Sequence, residues 1–201
     1  LLHPNTVEIY VFARTREGQP YYVMEYLDGL TLAELVAHSG PVPAGRAIHI
    51  LRQVGAALRE AHLRGMIHRD VKPENVMLCR RGEADVVKLL DFGLVKNLEH
   101  AQTRDITKQL KILGTPRYMA PEQFADTKSV DHRADIYSLG VVFYEMLTGE
   151  IPMGRFVAPS KKVQVDVRID EVVLRSLERE PAQRYQHVSE VKTDVENVTH
   201  H

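Results

Sequence analysis

Three short polar segments, occurring in a fixed order, limit most strongly what this 201-residue chain can fold into. They are residues 68–75, with the sequence HRDVKPEN, residues 91–93, DFG, and residues 114–122, GTPRYMAPE. The probability that three given tripeptides occur by chance, in this order, in a chain of this length is on the order of 10⁻⁵. Charged side chains beside glycine and proline are typical of loops that carry chemistry, so we expect the rest of the fold to position these loops.

Apolar residues spaced by three or four positions predict the helices around these segments. Long helices are predicted over residues 44–64 and 131–148, and Gly65 and Gly149 are expected to end them. A capping box at Thr31 predicts a shorter helix. The other predicted elements are a β-hairpin over residues 7–12 and 21–27, short strands over 76–78 and 86–90, a loop over 101–114, an irregular segment over 151–167, and closing helices over 169–178 and 185–198.

Composition and charge exclude several classes of protein. The chain has 26 Lys and Arg against 27 Asp and Glu, so it lacks the basic surface of a nucleic-acid-binding protein or of a polybasic membrane anchor. No apolar run approaches the roughly 18 residues of a membrane helix. The single cysteine, Cys79, excludes an intramolecular disulfide framework and suits a reducing compartment. We therefore expect a cytoplasmic domain without nucleic-acid partners, whose parent protein could carry a membrane anchor outside these residues.

Two further segments extend the pattern, residues 134–140, ADIYSLG, and residues 180–185, EPAQRY. With them the chain resembles the eukaryotic-like Ser/Thr protein kinases of the bacterial type, over essentially its whole length. The resemblance implies an α+β, protein-kinase-like fold, mainly the helical C-lobe with a small N-terminal β-hairpin remnant. The implied parts are the N-lobe remnant with the hinge at residues 1–27 and the C-lobe at residues 28–201, which holds the catalytic loop at 66–79 and the activation segment at 91–122.

The resemblance also implies a reaction, in which the γ-phosphoryl group of ATP is transferred to Ser or Thr hydroxyls of protein substrates with Mg²⁺ as the metal. Asp70 would accept the hydrogen bond of the substrate hydroxyl, and Lys72 would contact the transferring phosphate. Asn75 and Asp91 would supply the oxygen ligands that Mg²⁺ prefers. Lys72, at this spacing from Asp70, and Thr115 are implied to go with Ser and Thr acceptors rather than Tyr.

The adenine site is implied at the hinge, where the sequence is MEYL. Met24 would be the gatekeeper, and the carbonyl of Glu25 and the N–H of Leu27 would bond to adenine. Met77 would lie under the ring, and Asp28 would face the ribose. As an exposed turn residue, Asp28 also has an ordinary alternative role.

Other residues are implied to support the site rather than to react in it. Asp135 would brace the backbone of the catalytic loop, and Glu122 with Arg184 would form a buried ion pair that ties the activation segment to the closing helices. His68, Phe92 and, more weakly, Ile9 would form a stacked hydrophobic spine, for which plain core packing is the alternative. Gly93 would allow a sharp turn of the backbone.

Arg69, which precedes the catalytic aspartate, is implied to pair with a phosphate on the activation loop. Thr103 and Thr107 are the candidate acceptors, and we hypothesise autophosphorylation at one of them. The alternative is that both are ordinary polar residues of a loop.

Parts of the family pattern are missing from the chain. Its 12 glycines form no Gly-x-Gly pair, and residues 1–71 contain no lysine. The chain therefore supplies neither a Gly-rich loop nor the lysine that anchors ATP, and the helix-C glutamate is also missing. The helix that docks substrates in the family is expected to be reduced at residues 152–167. We expect the chain to be a fragment of a longer kinase, with little or no kinase activity by itself.

Two other functions stay open on the sequence. A kinase-like module without catalysis would act as a binding or scaffolding unit, but the intact Asp70, Lys72, Asn75 and Asp91 argue against it. A small-molecule phosphotransferase is disfavoured by the Ala-Pro-Glu of residues 120–122, which is typical of kinases that act on proteins. The sequence does not determine whether the chain dimerises.

Overall fold

The chain begins with an antiparallel β-hairpin of strands β1 (Ile9–Arg14) and β2 (Pro20–Met24), in which Phe12 pairs with Tyr22. The hairpin predicted from β-branched and aromatic residues is confirmed, with β1 shifted by two residues along the chain. The computed structural model describes residues 1–81, 84–92, 116–125 and 130–199.

A second antiparallel sheet has the strand order β3 (Gly29–Thr31), β4 (Val76–Arg81), β5 (Ala84–Leu89). β4 and β5 are the two predicted short strands, each longer than expected because backbone pairing continues as far as Arg81 and Ala84. The sequence does not predict β3. Gly29 lies so close to β4 that an added Cβ would be 2.2 Å from the carbonyl oxygen of Leu78, so only glycine fits there.

The helices begin and end near the predicted positions. At the start of α1, the Thr31 hydroxyl accepts the N–H of Glu34 at 3.1 Å and the Glu34 carboxylate accepts the N–H of Thr31 at 2.7 Å, which is the predicted capping box. α4 ends at Gly149, whose φ of 74° is the left-handed conformation that favours glycine. None of the described helices is long and apolar enough to span a membrane. The described helices are α1 (Leu32–Ser39), α2 (Ala44–Leu63), α3 (Glu122–Ala125), α4 (Arg133–Thr148), α5 (Arg168–Ser176) and α6 (Val188–Thr199).

The core lies between α2 and α4, with α5 packed on α4 and α6 packed on α2. The apolar positions whose spacing predicted α2 and α4 are all buried, so the period-3.6 pattern identified the inward face of each helix correctly. They are Ile48, Leu51, Val54, Leu58 and Ala61 in α2, and Ile136, Leu139, Val142, Phe143 and Met146 in α4.

Residues 150–167, between α4 and α5, contain one 3₁₀ turn, Pro159–Lys161, and no α-helix, in agreement with the predicted irregular segment. Asp170 of α5 holds the turn, because its carboxylate accepts the N–H of Ser160 at 2.9 Å and the hydroxyl of Ser160 at 2.5 Å. Proline and glycine prevent a regular helix in this segment, and the hydrogen bonds from Ser160 to Asp170 stabilise it in place of helical hydrogen bonds.

Candidate active site

The loop between α2 and β4 is held from below by one buried carboxylate. Asp135, in the first turn of α4, has no exposed surface. Its Oδ2 accepts the N–H of His68 at 2.9 Å, and its Oδ1 accepts the N–H of Arg69 at 2.8 Å. The Nε2 of His62 lies 2.8 Å from the same Oδ2. Arg69 has a φ of 64°, an unfavourable conformation for arginine that these bonds maintain.

The three predicted reactive residues of this loop lie together. The Nζ of Lys72 is 3.2 Å from Oδ2 of Asp70. The side-chain amide of Asn75 donates to the carbonyl oxygen of Asp70 at 2.8 Å and to its Oδ2 at 3.2 Å. The side chain of Asp70 is 24% exposed, whereas Asn75 is buried. The carboxylate is therefore oriented by two neighbours and still accessible to a substrate hydroxyl.

The ring of His68 joins this loop to the segment after β5. Its Nε2 lies 2.7 Å from the carbonyl oxygen of Leu90, and its Nδ1 accepts the N–H of Asp70 at 3.2 Å. Burial lowers the pKa of His68, so the ring is neutral at neutral pH, and because a carbonyl can only accept, the proton lies on Nε2. Phe92 packs edge-on against the ring, with centroids 4.7 Å apart. Ile9, the weaker third spine residue, lies instead on β1, is 37% exposed and is outside the buried core.

Asp91 lies beside this spine in a left-handed conformation, with a φ of 51°. The hydroxyl of Tyr22 on β2 donates to its Oδ1 at 3.0 Å. The hairpin therefore contacts the candidate metal ligand directly. Tyr22 is not among the site residues predicted from the sequence, although the two-residue alternation of a strand places it on the same face as Met24.

The predicted adenine-site residues lie at the end of β2, in the segment after it and on β4. Met24 ends β2, and Glu25, Leu27 and Asp28 follow in the connection to β3. Leu27 is half-buried, and Asp28 is exposed. Met77 lies on the central strand β4, between β3 and β5.

The side chain of Glu25 anchors the hairpin to the second sheet. Its Oε1 accepts the Nζ of Lys88 on β5 at 2.7 Å and the backbone N–H of Glu8 at 2.9 Å. Lys88 also donates to the carbonyl oxygen of Thr6 at 3.3 Å. The carboxylate is used in the fold, so only main-chain groups of this residue suit the predicted contact with adenine.

The activation segment is described at its two ends, residues 91–92 and 116–122, and a glutamine just after the second end contacts the catalytic loop. Oε1 of Gln123 accepts the N–H of Ala120 at 2.9 Å, and its Nε2 donates to the carbonyl oxygen of Arg69 at 3.1 Å. The sequence analysis did not identify this contact. Four predicted residues lie outside the described part of the chain: Gly93, Thr103, Thr107 and Thr115.

Arg184 and Glu122 form the predicted ion pair in bidentate geometry. Nη1 and Nη2 of Arg184 donate to the two carboxylate oxygens of Glu122 at 2.6 and 2.7 Å. The remaining N–H groups donate to three carbonyl oxygens, those of Glu178 at 2.6 Å, Arg179 at 2.9 Å and Arg133 at 3.1 Å. A guanidinium has five N–H donors, and all five are used here. Arg184 is 1% exposed, so it is a buried structural residue next to the activation segment.

Asn75 and Asp91 fit the proposed Mg²⁺ by their chemistry. The amide nitrogen of Asn75 donates to Asp70, so the side-chain oxygen of Asn75 is the atom that can coordinate Mg²⁺. Asp91 brings carboxylate oxygens, of which Oδ1 accepts Tyr22. In the described ranges, no group of three or more His, Cys, Asp or Glu residues is arranged to hold a metal by itself. Two protein oxygen donors are typical of Mg²⁺ sites that nucleotide phosphates and water complete.

Comparison with known sequences identifies a single family over the chain. The family described as protein kinase domain matches residues 1–199. The serine/threonine-protein kinase PknB of Mycobacterium leprae is 39% identical over 213 residues, which cover 97% of this chain and 33% of that protein. The serine/threonine-protein kinase pkn3 of Myxococcus xanthus is 35% identical over 217 residues, covering 98% of this chain and 40% of that protein. The chain thus spans between a third and two fifths of these relatives.

Solved structures agree with the sequence comparison. The kinase domain of Mycobacterium tuberculosis PknI superposes with a TM-score of 0.78 at 29% identity, covering 98% of this chain and 73% of that one. Residues 1–466 of Rad53, crystallised with AMP-PNP, superpose with a TM-score of 0.77 at 26% identity, covering 96% of this chain and 51% of that one.

Proposed function

The chain belongs to the protein kinase domain family, with the bacterial serine/threonine kinases among its relatives. From that premise we propose that it is the larger part of a domain that transfers the γ-phosphoryl group of ATP to serine and threonine side chains of proteins. The observation that carries the proposal is the loop in which Asp70 is oriented by Lys72 and Asn75 and braced from below by Asp135. In this proposal residues 1–27 are the N-lobe remnant and residues 28–201 the C-lobe.

Each group in the loop has a defined part in the transfer. The carboxylate of Asp70 accepts the hydrogen bond of the attacking hydroxyl and aims its oxygen at the phosphorus. Lys72, 3.2 Å from that carboxylate, brings one positive charge to the phosphate that moves. Asn75 and Asp91 would hold Mg²⁺, which would supply positive charge to balance that of the phosphates. Because the protein mainly positions groups and balances charge, the fixed positions of these side chains contribute to the rate of transfer.

The remaining parts of the proposal concern the nucleotide, the acceptor and regulation. The carbonyl of Glu25 and the N–H of Leu27 bond to adenine, with Met24 as the gatekeeper. Met77 lies under the ring, and Asp28 faces the ribose. Thr115 and Lys72 select Ser and Thr acceptors. The guanidinium of Arg69 pairs with a phosphate carried by Thr103 or Thr107. Full activity after both threonines are replaced with alanine would contradict this pairing. Because ATP is the donor, we place the domain in the cytoplasm, with any membrane anchor outside these residues.

The test is transfer of labelled phosphate from ATP to a protein rich in serine and threonine. Two polypeptides are compared, the chain itself and a fusion in which the N-terminal lobe of the PknI kinase domain precedes it. We expect little transfer by the chain alone, which has no Gly-x-Gly pair and no lysine before Lys72, and clear transfer by the fusion.

The contribution of Asp70 is tested in the same fusion. Asp70→Asn is expected to lower the rate by about 100-fold or more, the usual contribution of a general base. Asp166→Asn is the matched control, since Asp166 lies far along the chain in an exposed ion pair with Arg168. Equal rates for Asp70→Asn and the unsubstituted fusion would contradict the proposal and favour a binding module without catalysis.

A further inference from the structure

A pocket of about 350 Å³ lies where the end of α2 meets the starts of α4 and α6. Its polar lining consists of Arg59 and His62 from α2, His132 from the residue before α4, and His187 and Ser189 at the start of α6. The volume lies within the range of small-molecule sites. The pocket includes none of the residues proposed for phosphoryl transfer, and its function does not depend on that proposal.

Three imidazole rings stand side by side in this pocket. The rings of His62 and His132 have centroids 5.3 Å apart, and those of His132 and His187 are stacked at 5.8 Å. Nε2 of His62 is engaged with Asp135, and Nε2 of His132 lies 2.7 Å from the carbonyl oxygen of Gln186. One nitrogen of each of these two rings is therefore fixed by the fold. The ring of His187 makes no hydrogen bond within the described part of the chain.

The pocket also contains hydrogen-bond donors that the fold does not use. Arg59 forms no ion pair with any described residue, and the hydroxyl of Ser189 has no hydrogen-bond partner among them. The lining contains no aspartate or glutamate. The guanidinium of Arg59 can only donate, and the hydroxyl of Ser189 and the ring of His187 can each donate as well, so the pocket suits a ligand rich in acceptor oxygens.

The carboxylates near the pocket are already bound to other groups. Glu60 of α2 pairs with Arg64 at 2.8 Å, and Asp131 before α4 pairs with Arg133 at 2.6 Å. Asp135 of α4 binds His62 and the catalytic loop, as described above. Glu190 of α6 accepts the N–H groups of Gln186 at 2.8 Å and His187 at 3.1 Å. None of these carboxylates pairs with Arg59, so no described carboxylate neutralises its charge.

We propose that this pocket binds a phosphate group, either free phosphate or a small phosphomonoester. The guanidinium of Arg59 donates in parallel to two phosphate oxygens, and His187 and Ser189 donate to the others. A metal ion is the wrong ligand, because Arg59 repels it and the described residues contain no group of His, Cys, Asp and Glu suited to one.

The test uses the 201-residue chain with isotope-labelled histidine and follows the imidazole resonances by NMR during titration with sulfate. We expect saturable shifts of the His132 and His187 rings. Inorganic phosphate and phosphothreonine are compared under the same conditions, and tighter binding of phosphothreonine would identify a phosphomonoester as the ligand.

Two exposed substitutions then assign the binding to the pocket. Arg59→Ala and His187→Asn are each expected to weaken sulfate binding about tenfold. Arg16→Ala removes the same charge from the turn of the hairpin and is expected to leave binding unchanged. Absence of saturable shifts in the unsubstituted chain, or equal losses in Arg59→Ala and Arg16→Ala, would each overturn the proposal.

Discussion

Arg184 is the single residue on which the packing around the activation segment depends most. Its guanidinium is fully buried and satisfies Glu122 and three backbone carbonyls at once. Lysine has only three donors and no planar fork, so Arg184→Lys leaves buried acceptors unpaired. We expect this substitution to lower the free energy of unfolding by about 3–5 kcal/mol, measured by urea denaturation.

Arg168→Lys is the control for this prediction. Arg168 also makes bidentate contacts, with Asp166, but 44% of its side chain is exposed. An exposed ion pair contributes about 0–1 kcal/mol. A loss at Arg184 as small as the loss at Arg168 would show that burial does not determine the importance of this pair.

At the residue scale, the sequence motifs identified groups that the structure brings together, but not all of their partners. Asp70, Lys72 and Asn75 are neighbours in the chain, so their spacing in one loop was enough to predict that they meet. Tyr22 meets Asp91 across 69 positions, and Gln123 meets Arg69 across 54. No local pattern encodes such contacts, because they depend on how the hairpin and α3 pack on the rest of the fold.

At the scale of elements, α4 is tied to the end of the activation segment by a half-buried carboxyl group. The hydroxyl of Tyr118 donates to Glu145 at 2.7 Å, and Ser138 of the same helix donates to the carbonyl oxygen of Tyr118 at 2.7 Å. Burial raises the pKa of Glu145, although the bond from Tyr118 opposes this effect. The folded chain therefore binds this proton more tightly than the unfolded chain does, and stability is lost as the pH rises through the raised pKa.

Glu145→Gln tests this pH dependence, because glutamine still accepts the Tyr118 hydroxyl but carries no charge. We expect the free energy of unfolding of Glu145→Gln, relative to that of the original chain, to increase from about pH 4 to about pH 7. Urea denaturation at several pH values measures the difference. Glu17→Gln, in the exposed turn of the hairpin, is the control for the substitution itself. A relative stability that falls with pH would mean that Tyr118 outweighs burial at Glu145.

The sequence predicted the long helices well and the strands less completely. The bounds of α2 and α4 were within two residues, because apolar periodicity and a terminal glycine act locally. β3 was missed, since its three residues form a strand only by pairing with β4, which lies almost fifty positions further along. β4 and β5 are longer than predicted because the backbone ladder continues through polar residues such as Asp85.

At the scale of the whole molecule, the two sheets differ in what covers them. β4 and β5 turn Val76, Leu78, Val87 and Leu89 into the core. β1 and β2 leave apolar side chains on the surface, with Tyr10 at 59%, Phe12 at 50% and Val23 at 46% exposure. Polar contacts of Tyr22 and Glu25 connect this hairpin to the rest of the chain. Composition does not reveal such a difference, because it counts apolar residues without showing where they lie.

This difference predicts unequal protection of the two sheets in hydrogen exchange of the 201-residue chain. A two-stranded hairpin without a buried face is marginally stable in water, so β1 and β2 should open locally while the core stays folded. We expect their amides to exchange about 100-fold faster than those of β4 and β5, which are joined by the same kind of ladder and therefore serve as the internal control. Equal protection would mean that another surface, such as a second copy of the chain, covers the hairpin, and dilution during the measurement would then restore the difference.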